Sequence, residues 1–273
     1  MIPDPTPQVQ VLGLTLQDIC KAPRHDLHLA SQSSQLVVRH SRPAILEPWD
    51  DFSPLPVHEL PEDCQAVIKM PASQLRIKMD SEYQEKPGLH SMTGKVSLPN
   101  GEFVWFKPRV PYRESDFSRE IQLLKAIKDA NFDDKIRVSQ LIGVVTALLK
   151  TDQTEVTAVV GLLISWIPPA PEGPHLLAQS SSSLRASQSK WWQQVSRTVE
   201  TLHGYGICWG DVNLCNIVID RDSNAWVIDF GGSNNLEFVD DDLAETFAGD
   251  WQGIRRIFEE WVPRRINLET DGV

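Results

Sequence analysis

Cysteine is scarce in this sequence. Cys20, Cys64, Cys208 and Cys215 are the four in 273 residues, and none forms a C-x-x-C pair. That excludes a disulfide-stapled miniprotein and leaves no ligand spacing for a zinc or thiol redox site. The four are expected to be reduced, buried thiols of an intracellular protein. Long apolar runs are also missing. The longest, Ala158 to Ile167, is ten residues broken by Ser165, too short to span a bilayer. Met1 to Pro7 shows neither a basic n-region nor an apolar h-region, so no secretion signal is expected. Basic charge is in deficit, with 26 Lys and Arg against 37 Asp and Glu, a net charge of −11 and a pI near 5.1. A field of that sign opposes general binding to nucleic acid or anionic membrane, though not a local basic pocket for phosphates. These absences predict an intracellular, most simply cytoplasmic, protein.

What is present is an ordinary globular composition, with 41% hydrophobic and 23% charged residues. A chain of this length buries roughly 70–75% of the surface its unfolded form exposes. Residues 1–71 read as a proline-rich, loop-rich extension, with short strand-like pieces at Gln8–Leu12 and Leu36–His40. Leu75 to Met79 alternates like a half-buried strand. Gly94–Leu98 and Glu102–Lys107 flank Pro99-Asn100-Gly101, a hairpin signal. Glu114-Ser115-Asp116 opens a helix whose apolar positions are Phe117, Ile121, Leu124 and Ile127. Val138–Leu149 and Glu155–Ile167 read as two further strands, the second buried. Ser180 to Ser183 reads as an exposed linker. A helix over Ser187–Leu202 follows, then two short strands within Gly204–Phe230, then a last helix over about Leu243–Trp261.

Three segments carry chemistry. Val104-Trp105-Phe106-Lys107 ends a buried-type strand on a lysine, which is costly unless an anion meets it. Glu120, on the following helix, is a candidate partner, with Glu114 a rival. Asp211 and Asn216 stand five apart in a loop that runs directly into an apolar strand, so one loop presents a carboxylate and an amide oxygen together. The carboxylate suits a hydroxyl proton and the amide suits a metal ion. Ala225–Ile228 then delivers Asp229 into Phe230-Gly231-Gly232, where glycine admits close backbone approach and the acid suits Mg²⁺.

Taken together, Leu202-His203-x-x-Gly206-Ile207-x-Trp209-Gly210-Asp211-x-x-x-x-Asn216, Ile228-Asp229-Phe230-Gly231-Gly232 and Gly249-Asp250-Trp251-Gln252-Gly253-Ile254 resemble the protein-kinase-like superfamily. The likeness is to its fungal serine/threonine-kinase-like and aminoglycoside-phosphotransferase-like members. It spans about residues 72–262 and is strongest over 199–256. It implies an α+β, two-lobed protein-kinase-like fold, with a small N-lobe sheet plus one helix at 72–167 and a truncated, mostly helical C-lobe at 168–273. It implies ATP and Mg²⁺ as cofactors. Asp211 would be the catalytic base, Asn216 and Asp229 the Mg²⁺ ligands, Lys107 the phosphate lysine and Glu120 its partner. The backbones of Ser165 and Ile167 would form the hinge that meets adenine. Asp250 would brace the catalytic loop, and His203 would be structural. Trp209, next to the proposed base, is a candidate wall of the acceptor pocket.

The departures shape the expected function. No G-x-G-x-x-G precedes Lys107; Asp80 to Gly94 stands there with Gly88 and Gly94 alone. Asn213 replaces the lysine expected two residues after the aspartate. Only 42 residues follow Gly231, and no A-P-E segment is among them, which disfavours a protein acceptor. The expectation is a phosphotransferase acting on a small-molecule hydroxyl or amine. The alternatives are a nucleotide-binding pseudokinase that serves as scaffold or regulator, and a kinase fold recruited to non-phosphoryl chemistry. The acid run Asp240-Asp241-Asp242 is expected to be a solvated helix start.

Overall fold

The computed structural model describes residues 15–17, 27–32, 35–40, 55–77, 94–110, 113–132, 136–150, 155–233 and 235–268, with the backbone alone for 27–32, 35–40 and Lys150. The expected strand at Gln8–Leu12, Cys20, Lys78-Met79 and nearly all of Asp80–Gly94 lie outside the described residues. The chain divides into two compact units. Met1–Glu114 with Ile142–Leu163 make the first, and Ser115–Leu141 with Ile164–Val273 make the second.

The first unit is built on strands. An antiparallel hairpin pairs β1 (Leu27–Gln32) with β2 (Gln35–His40). The main sheet has seven strands. They are β3 (Leu55–Pro56), β4 (Lys69–Pro71), β5 (Arg76–Ile77), β6 (Gly94–Ser97), β7 (Phe103–Pro108), β8 (Leu141–Lys150) and β9 (Glu155–Ser165). Their order is β4-β8-β9-β7-β6-β5, with β3 paired to β9. The β4–β8 pair is parallel; β3–β9, β5–β6 and β6–β7 are antiparallel. Both β3 and β4 come from the proline-rich segment. Pro56 and Pro71 sit at the ends of these short strands, where a missing N–H costs the ladder least.

The Asn100-Gly101 turn joins β6 to β7 as the sequence predicts, closed by Leu98 N–H to Glu102 O at 2.8 Å. Strand alternation then sorts the side chains of β7. Val104 and Phe106 are buried in a core with Val96, Val145 and Val160. Phe103, Trp105 and Lys107 share the other face and are half-buried. A Cβ at Gly161 of β9 would lie 2.4 Å from the Lys107 carbonyl and 2.6 Å from the Phe106 ring, so only glycine lets these strands approach.

The second unit is mostly helical, and its described elements are compatible with the expected kinase-like fold. It holds α1 (Glu114–Asp129, whose first residue belongs to the other unit), α2 (Ser181–Gly204), β10 (Ile217–Ile219), β11 (Ala225–Val227), α3 (Phe247–Arg255) and α4 (Val262–Leu268). A π-helical stretch, Arg256–Trp261, joins α3 to α4. The predicted apolar positions of α1 are the buried ones: Phe117, Ile121, Leu124 and Ile127. On α2 the buried stripe is Leu184, Trp191, Val195, Val199 and Leu202. The Trp191 ring N–H donates to Ser223 O at 3.0 Å, and Gln194 Oε1 accepts from Ala225 N at 2.8 Å, so α2 carries the β10–β11 hairpin on its polar shoulder.

The serine run is not a linker. Ser180 is the N-cap of α2 and accepts from Ser183 N, while Ser181 is buried in the first turn. Glu172 receives Ser180 N at 2.8 Å and the hydroxyls of Ser180 and Ser183 at 2.9 and 2.8 Å. These hydrogen bonds hold its carboxyl below the usual range. A polar run reads as a linker because capping and solvation favour the same residue types. The acid run at 240–242 does open a short exposed 3₁₀ turn, with Asp240 paired to Arg256 at 2.9 Å. Cys64 is buried as expected, but Cys208 is half-buried and Cys215 is exposed. Among the described residues, no helix is long and apolar enough to cross a membrane.

Candidate functional site

The loop between α2 and β10 is short of regular structure and rich in specific bonds. Asn213 starts it locally. Its side-chain oxygen accepts from Cys215 N at 2.9 Å and Asn216 N at 3.2 Å, capping the 3₁₀ turn Leu214–Asn216. Its amide group donates to Asp211 Oδ1 at 3.0 Å. Asn216, itself buried, donates to Asp211 Oδ2 at 2.8 Å and to Asp211 O at 2.9 Å. The Asp211 carboxylate is therefore held by an amide on each oxygen. Because the Asn216 nitrogen faces Asp211, its side-chain oxygen is turned away from it. The two amides fix the orientation of the Asp211 carboxylate, whose oxygens each carry two lone pairs.

Asp229 follows β11. Its φ of +63° is in the left-handed region, where a non-glycine residue is strained. Its Oδ1 accepts from Gly231 N at 3.2 Å. Two side chains tie this turn to the Asp211 loop. Trp209 is fully buried, and its ring N–H is shared between Ile228 O at 2.9 Å and Asp229 O at 3.1 Å. Arg119, from α1, donates to Trp209 O at 3.3 Å, Cys208 O at 3.2 Å and Phe230 O.

The expected acceptor-wall role of Trp209 thus gives way to a buried clamp. A ring with no exposed surface has no face to offer a ligand. Gly210, between Trp209 and Asp211, has φ +80°, and a Cβ there would come 2.5 Å from Arg119 Nη2.

A third anchor lies beneath the loop. Asp250, in the first turn of α3, is 1% exposed. It accepts from Trp209 N and Gly210 N at 2.8 Å each, from the Cys208 thiol at 3.3 Å, and meets His203 Nε2 at 2.8 Å. His203 is held between Phe247, stacked at 4.2 Å, and Trp251, edge-on at 5.9 Å. Burial, then the Asp250 charge, pushes the Cys208 thiol well up, so it stays a neutral donor. The N-cap of α3 is Thr246 and not Asp250, which leaves all of Asp250 for the loop.

The remaining predicted residues lie on other elements. Lys107 stands in the first unit on β7. Glu114, the rival acid, pairs with Arg109 at 3.2 Å. Glu120 is buried, at 4% exposure, one residue after Arg119; a carboxylate so buried requires a partner. Ser165 uses its N–H on Gln140 O at 2.8 Å, and its hydroxyl accepts from Gln140 N at 2.8 Å. That N–H is therefore already engaged within the fold. Ile167 follows, half-buried, ahead of Pro168.

Among the described residues, no three His, Cys, Asp or Glu side chains gather as a metal site. The candidate ligands are instead one amide oxygen and one carboxylate, hard donors of the type Mg²⁺ takes. A cavity of about 370 Å³ on the second unit is lined by Leu177, Glu237, Trp261, Arg264, Arg265 and Leu268, none of them a candidate site residue.

Sequence reasoning missed Arg119 and the capping role of Asn213. For Asn213 a signal existed, since Asn two or three residues before backbone N–H groups is a common cap. For Arg119 there was none, because its acceptors are main-chain carbonyls.

No curated protein matches this chain. The family match begins one residue after Lys107 and ends before Asp250, so it covers Glu120, Ser165, Ile167, Asp211, Asn216 and Asp229. Residues 108–241, just under half of the chain, match the model of the Lipopolysaccharide kinase (Kdo/WaaP) family, part of the protein-kinase-like superfamily, and over that span the chain is similar to kinase-type phosphotransferases.

Proposed function

We propose that this chain is a phosphotransferase of protein-kinase-like fold that uses ATP and Mg²⁺ and acts on a hydroxyl or amine of a small, non-protein acceptor. One observation carries the proposal: the Asp211 carboxylate, clamped by Asn213 and Asn216, is cross-tied to the Asp229 turn through Trp209. Asp211 is the general base that takes the acceptor proton. Asn216 and Asp229 hold Mg²⁺ through hard oxygens, and the outward turn of the Asn216 amide oxygen fits that task. Bound there, Mg²⁺ neutralises charge on the transferring phosphate. Lys107 is the phosphate lysine and Glu120 its partner.

The hinge contribution to adenine comes from Ile167 and from the carbonyl of Ser165, since the Ser165 N–H serves Gln140. A lipopolysaccharide kinase family acts on a non-protein acceptor, which supports the choice of acceptor class. The likeness to aminoglycoside-phosphotransferase-like proteins points the same way, and that to fungal serine/threonine-kinase-like proteins stands beside it as a second candidate kinship.

The test is Mg·ATP binding by thermal shift together with phosphoryl turnover. Wild type is expected to bind and turn over. Asp211→Ala is expected to keep binding and lose about 10²–10⁴-fold in turnover, and Asp229→Ala to lose the Mg²⁺-dependent part of binding. A wild type that shows neither binding nor turnover sinks the proposal. A second reading, a nucleotide-binding pseudokinase, is favoured by Asn213 in place of the expected lysine and by the lack of a glycine-rich motif before Lys107. Binding without turnover in wild type selects it.

A further inference from the structure

We infer that Arg119 is a positioning residue that sets the spacing between the loop carrying Asp211 and the turn carrying Asp229. The catalytic half of this inference rests on the phosphotransferase reading above; the structural half does not. The guanidinium is a planar fork of donors. Here it is aimed at three main-chain carbonyls from two segments that are distant in sequence. Cys208 and Trp209 precede Asp211, and Phe230 follows Asp229. Nε lies 3.9 Å from Glu245 Oε2, so the one charge on the fork is balanced from its other side. The side chain is 22% exposed, unlike the solvated arginine that a helix surface normally carries.

Two further features fit this role. Gly210, in the left-handed region, leaves open the space that Nη2 occupies. Trp209 ties the same two segments through Ile228 O and Asp229 O. The two segments are thus tied by an indole and by a cation, besides the backbone bond from Ser233 N–H to Gly210 O at 3.4 Å. The cation is carried by α1 beside Glu120, so a shift of α1 that displaces Glu120 also displaces the three carbonyl groups and the acids next to them. A lysine cannot do the same work, because a single ammonium does not span three acceptors held in a fork geometry. Global folding has a separate anchor in Asp250.

The experiment compares Arg119→Ala, Arg119→Lys and Glu245→Gln with wild type by amide hydrogen exchange, thermal unfolding and turnover with Mg·ATP. Arg119→Ala is expected to speed exchange over residues 229–233 by about tenfold or more while β11 keeps its protection. In turnover it is expected to lower kcat by about 10–100-fold, as a displaced catalytic group does. The KM for ATP stays within about threefold of wild type, and the Mg²⁺ concentration for half-maximal rate rises. Arg119→Lys recovers little of this loss, and Glu245→Gln shows a smaller change of the same kind.

Unchanged exchange over 229–233 in Arg119→Ala, or full recovery in Arg119→Lys, overturns the inference. If Arg119→Ala does not fold, Arg119→Lys, which keeps the charge and stem, carries the same exchange test. If wild type neither binds nor turns over Mg·ATP, the phosphotransferase reading fails on its own, and the exchange result alone decides the role of Arg119.

Discussion

Two buried aspartates, Asp220 and Asp250, each gather several donors, and they do so over very different distances along the chain. Asp220 takes Asp222 N at 2.9 Å, Asn224 N at 2.7 Å and the Trp226 ring N–H at 2.7 Å, all within six residues. It closes the turn of the β10–β11 hairpin, where Ser223 is left-handed at φ +57°. Asp250 takes its donors from 40 to 47 residues away. The first acid reinforces a hairpin that strand pairing and α2 already hold. The second is, among the described residues, the carboxylate that accepts from Trp209 N and Gly210 N, so the path of the loop toward Asp211 depends on it. Similar chemistry serves a local turn in one place and the candidate site in the other.

The largest test of this contrast is Asp250→Ala. Two backbone N–H groups lose their acceptor, each costing about 1–3 kcal/mol when left unsatisfied, so about 2–6 kcal/mol of stability is expected to go. Chemical denaturation measures the loss, and a loss below about 1 kcal/mol would break the comparison.

Asp220→Asn is expected to cost less, about 1–3 kcal/mol, and to leave Mg·ATP binding unchanged. It also has a pH signature. Burial raises the Asp220 carboxyl, but hydrogen bonds from Asn224, Trp226 and Asp222 outweigh it, and the folded value lies below the ordinary 3.8. A depressed acid stabilises the fold above its unfolded value and loses that contribution as pH falls through the folded one. The wild-type advantage over Asp220→Asn is therefore expected to be full at neutral pH and to shrink below about pH 3.8. An advantage that grows with acidity would reverse the sign argued here. The smallest effect is expected from Ser180→Ala, a local cap by the same logic, at about 1 kcal/mol with no change in exchange at the Asp211 loop.

The parts of the molecule that were legible in its sequence are those whose partners are close by. Asn100-Gly101 announces the β6–β7 hairpin, the spacing of Phe117, Ile121, Leu124 and Ile127 announces α1, and Asp211 with Asn216 announces a loop that binds itself. Trp209 and Arg119 were not legible in their roles. Their acceptors are carbonyl oxygens of Cys208, Trp209, Ile228, Asp229 and Phe230, and a carbonyl has no letter in the sequence. The use of the Ser165 N–H was hidden for the same reason, since its acceptor is Gln140 O. The short strands β3 and β4 were hidden by their prolines, because two or three residues show no alternation. Asp250 was found only through the family resemblance, as nothing in its own neighbourhood points 40 residues back.

That separation has a consequence for how the protein is made. Synthesis runs from the N-terminus, so the ribosome adds Gly210 and Asp211 well before it adds Asp250. Until α3 has emerged, the amides of Trp209 and Gly210 have not met their acceptor. The β10–β11 hairpin, with Asp220 inside it, needs no such wait. The order of translation therefore makes the loop of the candidate base one of the last parts of its unit to be fixed, after the hairpin beside it has the means to close.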